Sequence, residues 1–375
     1  MKEIISREKC CGCTACASIC AKNAIVMNMG EDGFKYPVIS EELCVDCGRC
    51  VSVCPINNIL QNPQGKSYAL KHVDKNILEN STSGGFFTAV SDYYLENDGV
   101  VYGAILDDNL VCRHVRADNI DERNKMRGSK YVESDLANNF SMIKEDLTQN
   151  KKVLFVGTPC QTNGLKNYLK GKDDNLLCID LICHGVPSPL VFSEHIKYLN
   201  KKARKKLVDY KFRSKKWSWH VHREMAILEN GKEWHSNFHT DAWRAIYYGK
   251  LAVRNSCHNC NYTNLTRPGD ITIGDCRGVD KVYSDMDSRE GVSLVFVNTP
   301  KGEEVFDKIR DNLQVREIDV DKVMQPTLKT RIKPNPRRER FIKLCYDGEY
   351  KKALTLAFGK HYILKYNIKK FLNRP

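Results

Sequence analysis

Eight cysteines in the first sixty residues carry the clearest chemistry of the chain. Cys10, Cys13, Cys16 and Cys20 repeat the spacing of Cys44, Cys47, Cys50 and Cys54, each run reading C-x-x-C-x-x-C-x-x-x-C, with Pro55 behind the second. In a double-cluster ferredoxin three thiolates of one run hold one [4Fe-4S] cubane and the fourth reaches across to the other. That rule pairs Cys10, Cys13, Cys16 and Cys54 on one cluster, and Cys44, Cys47, Cys50 and Cys20 on the second. Two departures are small: Ala21 stands where a proline usually follows, and Cys11 is an extra thiol beside a ligand. A zinc module would need only pairs of cysteines, and a disulfide framework suits a short secreted chain. The chemistry predicted is electron transfer.

A second set of cysteines follows. The spacing predicts a strand at Lys152 to Val156, a helix at Gln161 to Leu169 and a strand at Leu176 to Ile182, a βαβ unit whose crossover forces the strands parallel. Cys160 and Cys183 then fall at the carboxyl edge of the sheet, where open α/β sheets take their ligands. With the pair Cys257 and Cys260 they would complete a four-thiolate site for a [4Fe-4S] cluster or zinc. Spacing alone leaves open that Cys160 and Cys183 are ordinary buried thiols. Cys276 is a substitute ligand on this reading, while Cys112, Cys178 and Cys345 read as core residues.

The elements that must position these groups are of mixed type. Gln61 to Gly65 is a polar linker, after which strands are expected at Ser67 to Lys71, Gly99 to Leu106, Asp270 to Ile273 and Ser293 to Val297. Helices are expected at Ser83 to Glu96, Ala137 to Leu147 and Gly302 to Asn312, and Lys333-Pro334-Asn335-Pro336 is read as the end of the globular body. The fold class is α+β and α/β: a double-cluster ferredoxin domain over residues 1–62, then an α/β body. No apolar run is long enough to span a bilayer, and Met1-Lys2-Glu3 leads directly into the cluster motif, so a cytoplasmic location is expected.

Charge excludes one class of partner. Of the net +13 over 375 residues, +11 lies from Lys329 to Pro375, where 14 Lys and Arg face three acidic residues. Two clusters bearing about −2 each would leave the rest of the protein acidic, so no nucleic-acid groove is expected. The tail reads as two helical pieces, Tyr350 to Ala357 and His361 to Leu372. It suits either an anionic membrane surface or acidic partner, or packing on the chain's own body.

The order of several motifs is distinctive: Ser81-Thr82-Ser83-Gly84-Gly85, Arg127-Gly128-Ser129-Lys130-Tyr131-Val132, Gly157-Thr158-Pro159-Cys160-Gln161, Cys183-His184-Gly185-Val186-Pro187, Cys257-x-x-Cys260 and Gly269-Asp270-Ile271-Thr272-Ile273-Gly274-Asp275. It resembles the beta subunit of coenzyme F-420 hydrogenase and dehydrogenase from about Lys66 to about Thr330. The resemblance divides the body into an N-terminal region over 63–145 and a C-terminal region over 146–330, and the basic tail over 331–375 lies beyond it. It implies a flavin-binding α/β domain with a third cluster on Cys160, Cys183, Cys257 and Cys260. It also implies FAD cradled by Ser81, Thr82, Ser83, Gly84, Gly85, Gly128, Ser129, Lys130, Gly157 and Thr158. In place of the aromatic residues usual after the last motif, this chain has Cys276-Arg277-Gly278.

The residues themselves leave the flavin site open. There is no G-x-G-x-x-G after a strand, so a standard Rossmann site is not expected. Ser81 to Gly85 suits either a pyrophosphate seat or a plain helix cap. Trp217, Trp219, His220, His222, Trp234, His235 and His239 suit either a hairpin with alternating core residues or a substrate-facing wall. The function expected is an FAD- and iron-sulfur-dependent oxidoreductase, exchanging electrons with a redox partner protein, a reduced coenzyme of the deazaflavin type or an organic substrate. The alternatives are an electron-delivery subunit for a partner enzyme, as in surface-polysaccharide synthesis, and a redox sensor with structural clusters.

Overall fold

Two single-turn helices and one hairpin form the first unit: α1 (Ala15–Ser18), β1 (Ile25–Met29), β2 (Lys35–Ile39) and α2 (Arg49–Ser52), with β1 and β2 antiparallel. This is a computed structural model, describing residues 3–216, 218–220, 223–236, 242–286 and 289–359. Each single-turn helix is entered through a left-handed residue, Thr14 before α1 and Gly48 before α2.

The body is built on an eight-stranded mixed sheet. Its strands are β3 (Lys66–His72), β4 (Val100–Leu106), β5 (Cys112–Ala117), β6 (Val153–Gly157), β7 (Leu176–Leu181), β11 (Ile271–Asp275), β12 (Ser293–Val297) and β13 (Leu313–Glu317), in the order β13-β3-β12-β11-β7-β6-β4-β5. The centre β4, β6, β7 and β11 is parallel, with Gly157 opposite Asp180 and Ile179 opposite Ile271. The expected parallel βαβ unit is therefore present. Strands buried on both faces read as continuous apolar runs, and Ser293 to Val297 is buried at every position.

Alternate side chains serve two layers. Val101, Leu154, Leu177 and Val295 pack with α4 (Phe86–Glu96) and α10 (Pro300–Ile309), where Phe306 stacks on Tyr68 at 4.8 Å. Tyr102, Val153, Phe155 and Leu176 pack with α6 (Asn139–Thr148) and α7 (Pro159–Leu169), and this layer also receives Cys13, Ala15, Ile19 and Val53 of the ferredoxin unit. The smaller helices α3 (Lys75–Glu79) and α5 (Ile120–Met126) lie beside β3 and beside β4 and β5, respectively.

A third core joins α8 (Pro189–Ala203), the antiparallel strands β8 (Leu207–Lys211), β9 (Met225–Leu228) and β10 (Glu233–His235), and α9 (Ala242–Tyr248). The hairpin of the Trp/His stretch is thus present as β9 and β10, with Trp219 buried and His220 exposed; Trp217, His222 and His239 lie outside the described residues.

One expectation is corrected here. The globular body does not end at Lys333 to Pro336, because α11 (Arg338–Tyr346) and α12 (Tyr350–Phe358) bury Phe341, Ile342, Cys345, Tyr350, Ala353 and Leu354 in the third core. The prolines mark a turn held by Asn335, whose amide donates to the Gly249 carbonyl at 2.7 Å. The Tyr350 hydroxyl meets His195 Nδ1 at 2.9 Å, and His195 Nε2 meets Glu224 at 3.0 Å, a buried polar clasp on the added helices. The helical piece expected at His361 to Leu372 lies outside the described residues.

Candidate functional site

The first set of ferredoxin cysteines expected to share a cluster surrounds a cavity. Cys10, Cys13, Cys16 and Cys54 all line it, with Ile4 and Pro55 among the neighbours. These are the four residues that the crossed pairing assigns to one cluster. Burial pushes the Cys16 thiol up to about 12, with Cys10 and Cys54 adding to the shift. In the other set Cys50 lies within electrostatic reach of Cys47 and Cys20, and Cys44 Sγ lies 3.7 Å from the Asp46 carboxylate. Cys47 is exposed, whereas Cys10, Cys13 and Cys54 are buried.

The buried half faces the α/β body. Helix α7 places Gly164 against Cys13, so closely that a Cβ there would stand 2.9 Å from the Cys13 sulfur. Asn163, fully buried beside it, accepts from Leu60 N at 2.7 Å and donates to the Asn58 carbonyl at 3.1 Å. Tyr262, two residues beyond Cys260, donates to the same Asn163 at 2.8 Å. Cys11, the extra thiol, has hydrogen-bond contact with both Cys13 and Cys160, and the Cys13 contact leads the causes that push it well up.

Cys160, Cys183, Cys257 and Cys260 are gathered at the carboxyl edge. Cys160 follows β6 in the first turn of α7, where Thr158 and Gln161 form a reciprocal capping box. Cys183 follows β7, and a 3₁₀ turn at Asn255–Asn259 presents Cys257. Burial pushes Cys183 up to about 12 with Cys160 and Cys260 adding to it; burial likewise raises Cys257, with Cys183, Cys260 and Cys160 behind. A cubane takes each thiolate at a different iron, so its ligands stand further apart than those of one ion. Among the described residues, no three His, Cys, Asp or Glu side chains close to single-ion geometry. Cys276 is not part of the set: it is fully buried in a separate core with Val279, Met286 and Val292.

From these thiols an aromatic path leads to a charged cleft. Tyr247 is in electrostatic reach of Cys183 and Cys257 and stacks on Tyr131 at 4.8 Å. Tyr131 bonds through its side chain to Arg213, which pairs with Asp275 at the end of β11. Burial would raise the Asp275 carboxyl, but Arg213 and Arg277 outweigh it and hold the group below its usual range. Trp219 lies beneath both arginines, 5.4 Å from Arg213 and 4.7 Å from Arg277. Ser83 reaches the Asp275 carboxylate, and Lys215 donates to the Ser83 carbonyl at 2.7 Å.

The residues expected to cradle a flavin divide between this cleft and the scaffold. Thr82 accepts from Ser129 N at 3.1 Å, bringing the Ser81–Gly85 and Gly128–Lys130 loops together. Gly128, at φ +86°, faces Thr82 Oγ1 with room for a Cβ at 3.6 Å. Ser81 instead donates to the Ile77 carbonyl, and Gly84 abuts β3 and β12, where a Cβ would fall 2.3 Å from the Leu70 carbonyl oxygen. Gly85 is the N-cap of α4, Gly157 packs on Phe155, and Thr158 touches Cys160 Sγ at 3.2 Å. Lys130 donates to the carbonyls of Lys125, Met126 and Arg127, capping the end of α5, and burial lowers it to about 8.

Sequence reading missed Arg213, Lys215 and Tyr247, and quoted Tyr131 and Arg277 within motifs without giving them a role. Arg277 lies two residues from its partner Asp275; the partners of the others are far away in sequence, and no spacing rule joins them. The two aspartates of the Gly269–Asp275 motif also divide: Asp270 ties Lys166 at 3.1 Å to Cys178 N at 2.8 Å within the scaffold, while Asp275 faces the cleft.

Comparison with known proteins places the site in a family. Residues 150–322 match the C terminus of the coenzyme F420 hydrogenase/dehydrogenase beta subunit, and residues 9–58 match the 4Fe-4S dicluster domain. The chain thus carries a segment matching the C terminus of that beta subunit behind a matched dicluster domain. A curated relative, the F subunit of F(420)H(2) dehydrogenase from Methanosarcina mazei, is 22% identical over 337 residues, spanning 84% of this chain and 86% of its own. A solved F420-reducing [NiFe] hydrogenase complex from Methanosarcina barkeri contains a chain similar at 20% identity and a TM-score of 0.46, covering 79% of this chain and 93% of its own. The residues that join the ferredoxin unit to the thiol edge, Asn163, Gly164, Arg254 and Tyr262, all lie inside the matched 150–322 segment.

Proposed function

We propose that the chain passes electrons between a redox partner and FAD held in the Tyr131–Ser83 cleft, by way of the two ferredoxin clusters and a third four-iron cluster on Cys160, Cys183, Cys257 and Cys260. The observation that carries this reading is the continuity of the path: Cys13, Cys11 and Cys160 are in thiol contact, and Tyr247 and Tyr131 extend it from Cys183 and Cys257 to Arg213. The four partly buried thiols, all pushed above their ordinary range by desolvation or by neighbouring thiols, need a strongly cationic centre to become thiolates, and iron supplies it.

A flavin, when bound, exchanges electrons singly with clusters and as a hydride pair with an organic substrate or deazaflavin-type coenzyme. The chain's own part is positioning. Thr82 and Ser129 join the two loops suited to the cofactor's phosphates, while Arg213 and Arg277 offer cations to a ring that gains negative charge. Tyr131 and Tyr247 present flat faces on which a planar ring can stack. Buried Trp219 and Tyr247 keep water from the inner end of the cleft.

Anaerobic purification with metal and flavin analysis tests the assignment. About twelve iron atoms and one FAD per chain are expected from three four-iron clusters. Eight irons with full flavin would remove the third cluster, and zinc in its place would make the edge a zinc site. Reduction of the isolated chain by a deazaflavin, nicotinamide or ferredoxin donor then identifies the partner class. The exposed Leu43 and Val45 beside Cys47 favour a second reading, an electron-delivery subunit that docks a partner protein at this end.

A further inference from the structure

Arg254 touches both ends of the junction between the ferredoxin unit and the thiol edge. Its backbone N–H donates to the Val186 carbonyl at 3.0 Å, three residues beyond Cys183, and its carbonyl accepts from Cys257 N at 3.1 Å. Its side chain, with no exposed surface, turns the opposite way. Nε donates to the Cys10 carbonyl at 2.7 Å, and one terminal nitrogen donates to the Lys35 carbonyl at 2.7 Å and lies 3.9 Å from Cys10 Sγ. The other terminal nitrogen holds both oxygens of Glu133, at 2.7 and 2.9 Å. The guanidinium also lies over the rings of Phe34, at 5.0 Å, and Tyr36, at 4.6 Å. Gly12 leaves the space it occupies, since a Cβ there would stand 2.7 Å from the guanidinium.

We infer that Arg254 and Glu133 form a buried charge pair that sets the reduction potential of the Cys10 cluster apart from that of its exposed twin. The inference rests on Cys10 being a cluster ligand. Reduction adds one electron to a cluster already negative, and no bond to either residue forms or breaks. Burial opposes that added charge, whereas a permanent cation with an N–H directed at a ligand sulfur favours it. Glu133 opposes the cation, and does so from the far side: Arg254 stands between the carboxylate and Cys10, so the cation acts on the sulfur more strongly. The two residues therefore act in opposite directions on the same centre, and among the described residues the hydrogen-bond partners of neither include the more exposed set, Cys20, Cys44, Cys47 and Cys50, in which Cys47 is exposed.

Anaerobic redox titration of the full chain, followed by paramagnetic resonance, tests the pair. Glu133→Gln is expected to raise the potential of one ferredoxin cluster about tenfold in its reduced-to-oxidised ratio, about 59 mV for one electron. The double variant Glu133→Gln with Arg254→Gln is expected to take it below the wild-type value, because the stronger cation is then lost as well, with the other ferredoxin cluster unmoved. Shifts of the same sign in both variants, no shift, or equal movement of both clusters would overturn the inference. Cys10→Ala separates the premise from the inference: full iron in that variant means Cys10 is not a ligand, whereas loss of one cluster retains the premise whatever the potentials do.

Discussion

The two halves of the ferredoxin unit share one sequence pattern and occupy opposite environments. In the inner half Gly12 and Thr14 flank Cys13 with φ of +70° and +64°; in the outer half Asp46 and Gly48 flank Cys47 with φ of +50° and +71°. The backbone makes the same turn twice with the glycine exchanged between its two left-handed positions. At the inner site glycine is demanded by Arg254, and Thr14 is left with a left-handed backbone and a buried hydroxyl lacking a partner among the described residues. At the outer site nothing lies within 4 Å of the Cβ position of Gly48. An internal repeat has thus become an inside and an outside, and the difference is imposed by the surface on which one half rests.

That contrast can be broken most forcefully at the ligands. Cys13→Ala and Cys47→Ala should each lose about four iron atoms. Only the first should also lower the melting temperature, by an amount equivalent to about 2 kcal/mol, because its sulfur packs on Gly164. Equal melting losses in both variants would show that the docked half has no special place in the fold.

Acid should separate the halves next. His114 is buried behind the inner half, stacked on Phe155 at 5.5 Å, with Nε2 at 3.0 Å from the Val156 carbonyl. Burial lowers it to about 4, below its ordinary value of 6.5. The unfolded chain therefore binds the extra proton first, and stability falls as pH drops from about 6.5 towards 4, by on the order of 2 to 3 kcal/mol. Residues 1–60 contain no histidine. Hydrogen exchange across this range should loosen around Phe155 and α1 before it loosens around α2, and His114→Asn should flatten the dependence.

The smallest effects sharpen the comparison at single turns. Gly48→Ala should cost about 1 kcal/mol, the strain of a left-handed alanine in open space. Gly12→Ala should cost more, since the guanidinium must also move. Thr14→Gly should stabilise the chain by roughly 1 kcal/mol. Chemical denaturation of the three variants orders them, and a Gly48 cost above that of Gly12 would contradict the inner packing.

Much of this architecture is legible in local pattern. The cluster runs, the parallel βαβ unit and the strand at Ser293 to Val297 follow from spacing and apolar runs, and the crossed set of Cys10, Cys13, Cys16 and Cys54 appears around one cavity. What local pattern does not reach is long-range pairing. Ser81 to Gly85 suits a phosphate seat or a helix cap because it precedes a helix, but local pattern does not show that the room beside Gly84 is taken by the Leu70 carbonyl and Ser293. Lys130 is placed beside FAD by the resemblance, yet its ammonium donates to carbonyls three to five residues upstream. The Lys333–Pro336 segment reads as a terminus because proline ends helices, while the apolar spacing at Phe341, Ile342 and Cys345 continues the core. Tyr131 and Tyr247 are 116 positions apart and meet only after α9 packs against the loop following α5.

The short connection from Gln61 to Gly65 limits how such a protein can work. Asn62 is bridged to Arg267, its amide donates to the Gly269 carbonyl at 3.0 Å, and Gly65 lies so close to Val297 that no Cβ fits. A carrier domain that ferries charge by swinging between docking stations needs slack in its tether, and this tether is fastened along its length. The ferredoxin unit behaves as fixed wiring rather than as a shuttle. Turnover within the chain should accordingly be indifferent to solvent viscosity, leaving encounter with the external partner as the step that thickened solvent slows.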